Sequence, residues 1–284
     1  MRDCAVDTLC FLDDPLPGAL TFVGSRALAG RLELASGIAA VITSSDLARS
    51  IPAHLGLIIA PDPGAAFYMI HNDLAANSTF YGEDDLSHAD RTAIVHPSSM
   101  VGTRGVEIGP DCVIGPGVVI EGRVRIGPRT RIDAGAVIGA TGFQRSGATH
   151  GDINMIHVGS VDIGSDCHIY ANAVIARGQL RVPTVIGDRT YIGNGAFVSH
   201  RCRIGSGVSV GHNATVNGRV VVGDRAWVGP GAVISNYVEL GAGCHVALGA
   251  TVLQDVAPGE EVSGLPALRR HEMFRHAASI KRSK

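Results

Sequence analysis

Aliphatic residues recur at every sixth position through much of the C-terminal half of the chain, and this period limits what the chain can fold into. The positions are Ile186, Ile192, Val198, Ile204, Val210, Val216, Val222, Val228, Ile234, Leu240, Val246 and Val252. A strict six-residue period fits neither an α-helix, with about 3.6 residues per turn, nor a simple strand, whose side chains alternate. It is typical of a hexapeptide β-helix, in which short strands wind into stacked coils.

The six-residue period also predicts which side chains point into the coil. About three hexads make one turn, so residues about 18 apart lie above one another at one strand spacing of about 4.8 Å. The aliphatic residue and a small residue four places later point inward and fill a narrow core. Four cysteines, Cys112, Cys167, Cys202 and Cys244, occupy that small inward position. We therefore expect them to be buried free thiols rather than metal ligands.

One histidine stands where the coil must turn a corner. His200 follows the inward Val198 by two positions, so its side chain is expected to project outward. Gly218 lies 18 residues later, at the same corner one coil above. A neutral imidazole suits a general base, since its ordinary pKa is about 6.5. A glycine N–H that no side chain covers suits an oxyanion donor. We therefore expect His200 to be catalytic, with Gly218 as its oxyanion partner.

The repeat is interrupted twice before His200. Hexads begin near residue 95, the pattern is lost between residues 140 and 160, and it skips eleven residues between Ile175 and Ile186. Interruptions in a solenoid are loops on one side of it, often the binding side. The sequence therefore predicts two loops that overhang the corner of His200. His150 and His157, in the first loop, are candidates for lining the cleft.

The first 90 residues lack hexads and are typical of a small α/β domain. Apolar runs at 20–24, 39–43 and 55–60 predict strands. Residues 25–36 have helical spacing that ends at Gly37, and residues 65–76 predict a second helix with a proline near its start. We expect three units: residues 1–90 as an α/β domain, residues 91–257 as the β-helix and residues 258–284 as a basic helical tail.

Charge and composition exclude several kinds of partner. The formal net charge is −2, which argues against nucleic acid as the main partner. The sequence has no run of about 18 apolar residues that would span a bilayer. Its first residues carry acids where a secretory signal would be basic and then apolar. We therefore expect a cytoplasmic protein without a membrane span.

Short motifs follow one another along the coil in a specific order. They are Gly142-Phe143 in the first interruption, Arg177-Gly178 before the second, then Asn194, His200 and Gly218. With the α/β domain in front, they make the chain resemble the UDP-3-O-(3-hydroxyacyl)glucosamine N-acyltransferases of lipid A biosynthesis. The resemblance extends from LTF at 20–22 to SGLPA at 263–267.

The resemblance implies a fold, a reaction and partners. The fold would be mainly β, a left-handed parallel β-helix with a small N-terminal α/β nucleotide- or sugar-binding domain and a short C-terminal helix. The protein would be a homotrimer with active sites between subunits. It would transfer an acyl group from an acyl-carrier-protein or acyl-CoA thioester to the amine of a nucleotide-linked amino sugar, without a permanently bound cofactor. The implied substrate-binding residues include Gly142, Phe143, Asn194 and, where the family has a second histidine, Tyr237.

The chain departs from this family mainly in the nucleotide site. The family's uracil site reads Phe-x-x-Asn-x-x-Tyr, and the same spacing here gives Phe22, Ser25 and Leu28. Phe22 and Ser25 remain the candidates for nucleotide binding, with one base-reading amide and one ring missing. The asparagine that follows the family's catalytic histidine is Arg201 here. These departures predict a uridine site that is weak or retuned.

Three other functions can be carried by a β-helix. An acetyl-CoA-dependent sugar N- or O-acetyltransferase would differ in the length of its acyl pocket and in its donor. A non-catalytic solenoid would lose no activity on changing His200. A metal enzyme of the γ-carbonic anhydrase type needs histidines five apart on the solenoid, and the pair His271 and His276 lies in the tail. We therefore expect no metal site.

Overall fold

The structure is a computed structural model that describes residues 4–148 and 151–264. The described residues form a small α/β unit followed by a long parallel β-solenoid. Most of the helical tail expected at residues 258–284 lies outside the described residues.

The N-terminal unit contains a parallel four-stranded sheet in sequential order. Its strands are β1 (Thr8–Leu9), β2 (Ala19–Val23), β3 (Ile38–Thr43) and β4 (Gly56–Ile59). Its helices are α1 (Arg26–Ala29) and α2 (Pro63–Asn77), with 3-10 turns at Leu32–Leu34 and Ala48–Ser50. Strands β2, β3 and β4 confirm the three predicted strands, and β1 was not predicted.

Of the two predicted helices, the second is present as one helix and the first is not. Helix α2 begins as expected, because Pro63 starts it and the Asp62 carboxylate accepts a hydrogen bond from the Ala65 N–H at 2.9 Å. The single helix expected at 25–36 is wrong. It divides at Gly30 into α1 and a 3-10 turn, which agrees with the low helix propensity of glycine.

The solenoid consists of short strands separated by corners. Before the first interruption they are β5 (His88–Ala89), β6 (Ile94–Val95), β7 (Met100–Val101), β8 (Val106–Ile108), β9 (Val113–Ile114), β10 (Val119–Ile120), β11 (Val124–Ile126), β12 (Arg131–Ile132) and β13 (Val137–Ala140). An antiparallel hairpin follows, formed by β14 (Arg145–Ala148) and β15 (Gly151–Asn154). The solenoid continues with β16 (Val161–Ile163), β17 (His168–Ile169), β18 (Val174–Ala176), β19 (Thr184–Ile186), β20 (Tyr191–Ile192), β21 (Phe197–Val198), β22 (Arg203–Ile204), β23 (Ser209–Val210), β24 (Thr215–Val216), β25 (Val221–Val222), β26 (Trp227–Val228), β27 (Val233–Ile234), β28 (Glu239–Leu240), β29 (His245–Val246), β30 (Thr251–Val252) and β31 (Glu261–Val262).

Within the described residues these strands make three parallel sheets, which we call faces 1, 2 and 3. Face 1 contains β5, β8, β11, β16, β19, β22, β25 and β28. Face 2 contains β6, β9, β12, β17, β20, β23, β26, β29 and β31. Face 3 contains β7, β10, β13, β18, β21, β24, β27 and β30. The chain visits the faces in the order 1, 2, 3, so every coil has three corners.

The stacking register matches the sequence period. Val198 of β21 pairs with Val216 of β24, 18 residues later, and Ile192 pairs with Val210 in the same way. Both aliphatic positions and small positions are buried in one continuous core. Cys112, Cys167, Cys202 and Cys244 are free thiols with at most 2% of their surface exposed, which confirms the predicted register.

The first interruption leaves the solenoid between faces 3 and 1 and rests on the α/β unit. Asn72 of α2 holds the chain after the hairpin at two points, through Asn154 O at 2.8 Å and the Ile156 N–H at 2.9 Å. His71 is fully buried beside it and hydrogen bonds through Nε2 to Ile156 O and through Nδ1 to the Tyr81 hydroxyl, both at 2.6 Å. Helix α2 thus fixes the path of the loop that returns to the solenoid.

Candidate functional site

His200 lies at the corner between faces 3 and 1, as predicted. Its neighbours along the chain, Val198 and Ser199, are buried, while the imidazole is half-buried and faces the first interruption. Burial lowers the pKa of His200 from its ordinary value, so the ring is neutral at pH 7. Its Nδ1 atom is buried without a hydrogen-bond partner in the described part of the chain.

The loop from the first interruption covers one edge of this imidazole. The ring of His157 stands perpendicular to that of His200, with centroids 5.3 Å apart. The Gly142 N–H donates a hydrogen bond to His157 Nδ1 at 3.2 Å. A Cβ added to Gly142 would lie 3.0 Å from His200 Cδ2, so only glycine lets the backbone pack this closely. The prediction that this loop overhangs His200 is confirmed.

Burial also decides the charge of the second histidine. His157 has 3% of its surface exposed. Its pKa is lowered from 6.5 to about 4, mainly by burial and to a lesser extent by the nearby His200. Both rings are therefore neutral near pH 7, and neither repels a proton that arrives at the other.

Gly218 contacts the other side of His200. A Cβ placed on Gly218 would lie 2.5 Å from His200 Cε1 and 2.8 Å from its Nε2. The Gly218 N–H donates to the Asn236 side-chain oxygen at 3.0 Å. His200, Gly218 and Asn236 are spaced 18 apart and form one vertical column at this corner. The Gly218 amide thus lies beside the His200 ring, and a ligand oxygen must replace Asn236 to reach it.

A cavity of about 340 Å³ opens where the α/β unit meets this corner. Its lining combines aromatic, aliphatic, cationic and acidic side chains, namely Phe11, Leu12, Asp13, Phe22, Leu28, Arg31, Arg219 and Tyr237. Phe22 is half-buried, with its ring centroid 5.1 Å from that of Phe67. The fold therefore brings Phe22 and Tyr237 together, although 215 residues separate them in the chain.

Ser25, Phe143 and Asn194, which were also predicted as site residues, do not line this cavity. Ser25 is an N-cap whose hydroxyl accepts a hydrogen bond from the Leu28 N–H at 3.3 Å, and it does not line the cavity. Phe143 is 82% exposed. Asn194 lies at the corner between faces 2 and 3, where its N–H donates to His212 Nδ1 at 3.0 Å. As predicted, His212 is at a different corner from His200.

The same cavity is also lined by residues that were not predicted from the sequence. Arg219 and Phe11 face each other, with the guanidinium carbon 4.5 Å from the ring centroid. The spacing of 18 between Arg201, Arg219 and Tyr237 was visible in the sequence and predicts a second column beside that of His200. The docking of Phe11 on this column has no such periodic signal.

The described residues have neither a metal-binding cluster nor a membrane-spanning helix. Residues 4–148 and 151–264 contain no group of three or more His, Cys, Asp or Glu side chains arranged to hold a metal ion. Over the same ranges no helix is both long enough and apolar enough to cross a bilayer.

The solenoid matches known repeat families over much of its length. The family described as bacterial transferase hexapeptide (six repeats) matches residues 105–140 and 183–218. The hexapeptide repeat of succinyl-transferase matches residues 219–254. A UDP-3-O-acylglucosamine N-acyltransferase of Xanthomonas axonopodis pv. citri is 43% identical over 89 residues. The solenoid is thus similar to the hexapeptide repeats of bacterial transferases.

The similar proteins differ in how much of their length this chain spans. The Xanthomonas match covers 31% of this chain and 26% of the relative. A UDP-3-O-acylglucosamine N-acyltransferase of Coxiella burnetii is 28% identical over 253 residues, covering 76% of this chain and 69% of the relative. A solved UDP-N-acetylglucosamine acyltransferase is 28% identical, with a TM-score of 0.47, over 69% of this chain and 80% of that one.

Proposed function

We propose that this protein transfers an acyl group from a carrier-protein or CoA thioester to the amine of a nucleotide-linked amino sugar, with His200 as general base. The observation that carries the proposal is the neutral His200 imidazole in contact with the Gly218 backbone, at the corner covered by the loop of Gly142. Two similar proteins are named UDP-3-O-acylglucosamine N-acyltransferases, which supports a nucleotide-linked amino sugar as the acceptor.

The positions of His200 and Gly218 suit the following acyl-transfer steps. The amine nitrogen attacks the thioester carbon and forms the C–N bond, while His200 takes the proton that the nitrogen loses. The carbonyl oxygen becomes an oxyanion, which the Gly218 N–H stabilises once it has exchanged Asn236 for this oxygen. The C–S bond then breaks, and the leaving thiolate takes the proton back from His200. A base whose pKa is lowered by burial remains unprotonated at neutral pH.

The cavity beside the α/β unit supports a nucleotide-linked acceptor. Phe22 and Tyr237 offer aromatic rings to a base, and Arg219 offers a positive charge. Leu28 lines the same cavity where the resembled family has a ring, and Ser25 caps a helix instead of reading a base. We therefore propose that the base is bound mainly by stacking, and less selectively than in that family.

The outer surface of face 3 supports a homotrimer. Its outward positions are mostly apolar and are exposed or half-buried. They are Met100, Val119, Val137, Val174, Phe197 and Val233, with threonines at 215 and 251. The outward positions of face 1 are mostly charged, with Glu107, Arg125, Arg203 and Glu239 exposed. Burying face 3 between three subunits would cover the apolar surface. It would also let the corner of Asn194 from one subunit approach the His200 corner of the next.

A light-scattering mass of three chains at micromolar protein is the expected result for the trimer. A mass of one chain would contradict it. Since acyl-carrier protein and acyl-CoA are cytoplasmic donors, we propose that the enzyme acts in the cytoplasm.

The acyl-transfer proposal is tested by incubating the protein with acyl-carrier and acyl-CoA thioesters of several lengths and with UDP- and dTDP-amino sugars, followed by mass spectrometry. His200→Ala should reduce turnover by roughly 10²- to 10⁴-fold. His212→Ala, a histidine at another corner, is the matched control and should have little effect. Transfer of acetyl groups alone from acetyl-CoA would favour a sugar acetyltransferase. Equal turnover by His200→Ala and the wild type would refute the assigned base.

A further inference from the structure

Beside the column of His200 and Gly218 runs a second column at the same corner, formed by Arg201, Arg219 and Tyr237. All three residues have left-handed backbones, with φ of 59°, 64° and 64°. The Arg219 N–H donates to His200 O at 3.0 Å, and the Tyr237 N–H donates to Gly218 O at 3.2 Å. The two columns are therefore adjacent at this corner and are joined through their backbones.

The two guanidinium groups are buried to an unusual degree for arginine. The side chain of Arg201 is 4% exposed and that of Arg219 is 11% exposed. Arg201 keeps Nε and Nη1 without hydrogen-bond partners among the described residues. Both guanidinium groups lie over the Phe11 ring, with their carbons 5.5 Å and 4.5 Å from its centroid. A buried guanidinium with free donors is costly unless an anion satisfies it.

Two carboxylates of the α/β unit provide part of the negative charge that these guanidinium groups need. Asp14 forms an ion pair with Arg201, and Asp13 forms one with Arg219. These carboxylates are 47% and 28% exposed, so they are far more solvated than the arginines they contact. Burial lowers the pKa of Arg201 to about 10, and it remains charged at pH 7. Two cations that pack on the same Phe11 ring, each contacted by one solvated carboxylate, can bind the two phosphate groups of a diphosphate.

We propose that Arg201 and Arg219 form a diphosphate-binding subsite, and that Asp13 and Asp14 compete with the diphosphate for these guanidinium groups. The ligand is a nucleoside diphosphate whose base stacks in the cavity of Phe22 and Tyr237 and whose sugar extends to the His200 column. The inference rests on the proposed function, because it takes the acceptor to be nucleotide-linked. The guanidinium fork suits phosphate oxygens, and Arg31 adds a further cation to the cavity lining.

Calorimetric titration with UDP and dTDP, and with uridine and thymidine as the matching nucleosides, tests the subsite directly. The wild-type protein should bind a diphosphate more tightly than its nucleoside. Arg219→Gln should weaken diphosphate binding by about 10- to 100-fold while leaving nucleoside binding unchanged. Arg203→Gln, which removes the same charge from an exposed site on face 1, is the control and should change neither.

The double variant Asp13→Asn, Asp14→Asn separates competition from a merely structural ion pair. If the carboxylates compete with the ligand, this variant should bind the diphosphate several-fold more tightly. Unchanged or weaker binding would show that they only hold the α/β unit in place, and the proposal would be wrong in that part. Thermal melting of each variant shows that it is folded.

Acyl-transfer kinetics separate the failure of this inference from failure of the proposed function. In a working assay, Arg219→Gln should raise KM for the nucleotide sugar and leave kcat nearly unchanged. Acyl transfer with an unchanged KM, or equal affinity of the wild type for UDP and uridine, would overturn the subsite and leave the proposed function intact. If no nucleotide binds and no nucleotide sugar is acylated, both are wrong.

Discussion

Replacing Gly218 with alanine should disable acyl transfer without unfolding the solenoid. The new Cβ would lie 2.5 Å from Cε1 and 2.8 Å from Nε2 of His200, so the imidazole must move. An ordinary carbon contact needs about 3.5 Å, which puts the displacement near 1 Å. A displacement of that size can cost about 10² in rate. Alanine keeps the backbone N–H, but its Cβ obstructs the approach of the oxyanion, and complete loss of one such donor costs about 10² to 10³. We therefore expect kcat/KM to fall by roughly 10²- to 10³-fold.

The backbone gives no reason for Gly218→Ala to unfold the protein. Gly218 does not have a left-handed φ, and the clash is with a side chain that can rotate. Gly102→Ala is the matched control, since Gly102 follows β7 at the same corner and its added Cβ would meet no atom closer than 3.5 Å. The assay is kcat/KM together with the melting temperature for both variants. Near-normal kcat/KM for Gly218→Ala would show that the contact between Gly218 and His200 has no part in the reaction.

Two further predictions concern stability and reactivity. Because the pKa of His157 falls from 6.5 to about 4 on folding, the unfolded chain binds the extra proton in that window. The free energy of unfolding should therefore drop by up to about 3 kcal/mol as the pH falls from 6.5 to 4. His157→Gln should flatten this dependence in urea titrations, and an equal slope in both proteins would contradict the assignment. Burial raises the pKa of Cys202 to about 12, so it should react with a polar thiol reagent about 10³-fold more slowly than an ordinary thiol. Cys4, which is exposed, should label first, and equal rates at Cys4 and Cys202 would be inconsistent with the core.

The period of six was sufficient to predict the solenoid, the inward positions and the column of His200 and Gly218. A repeat fixes which residues lie above one another, so the geometry of one coil applies to the next. The hydrogen bond from Gly218 to Asn236 follows from the same spacing of 18 and could have been predicted. The arginine column could have been predicted in the same way.

The remaining features depend on contacts between distant parts of the chain. The corner at which the first loop leaves was predictable, but its path depends on His71 and Asn72, which hydrogen bond to residues more than 80 positions away. The meeting of Phe22 with Tyr237 depends on how the α/β unit docks. Ser25 was expected to bind substrate because of its position in a resembled motif. Its place before a helix already indicated an N-cap.

The parallel register has a consequence for how such a chain can change in length during evolution. Ile138 pairs with Ile175 and Ile175 with Val198, although 37 and 23 residues separate them instead of 18. In both cases the additional residues form a loop at the corner of His200, and the strands that follow stack on the same three faces. A surplus of one hexad kept within the ladder would rotate every later residue by a third of a turn, carrying Gly218 away from His200. Insertions that preserve the chemistry are therefore whole coils, or loops extruded at a corner, and this corner has accumulated two.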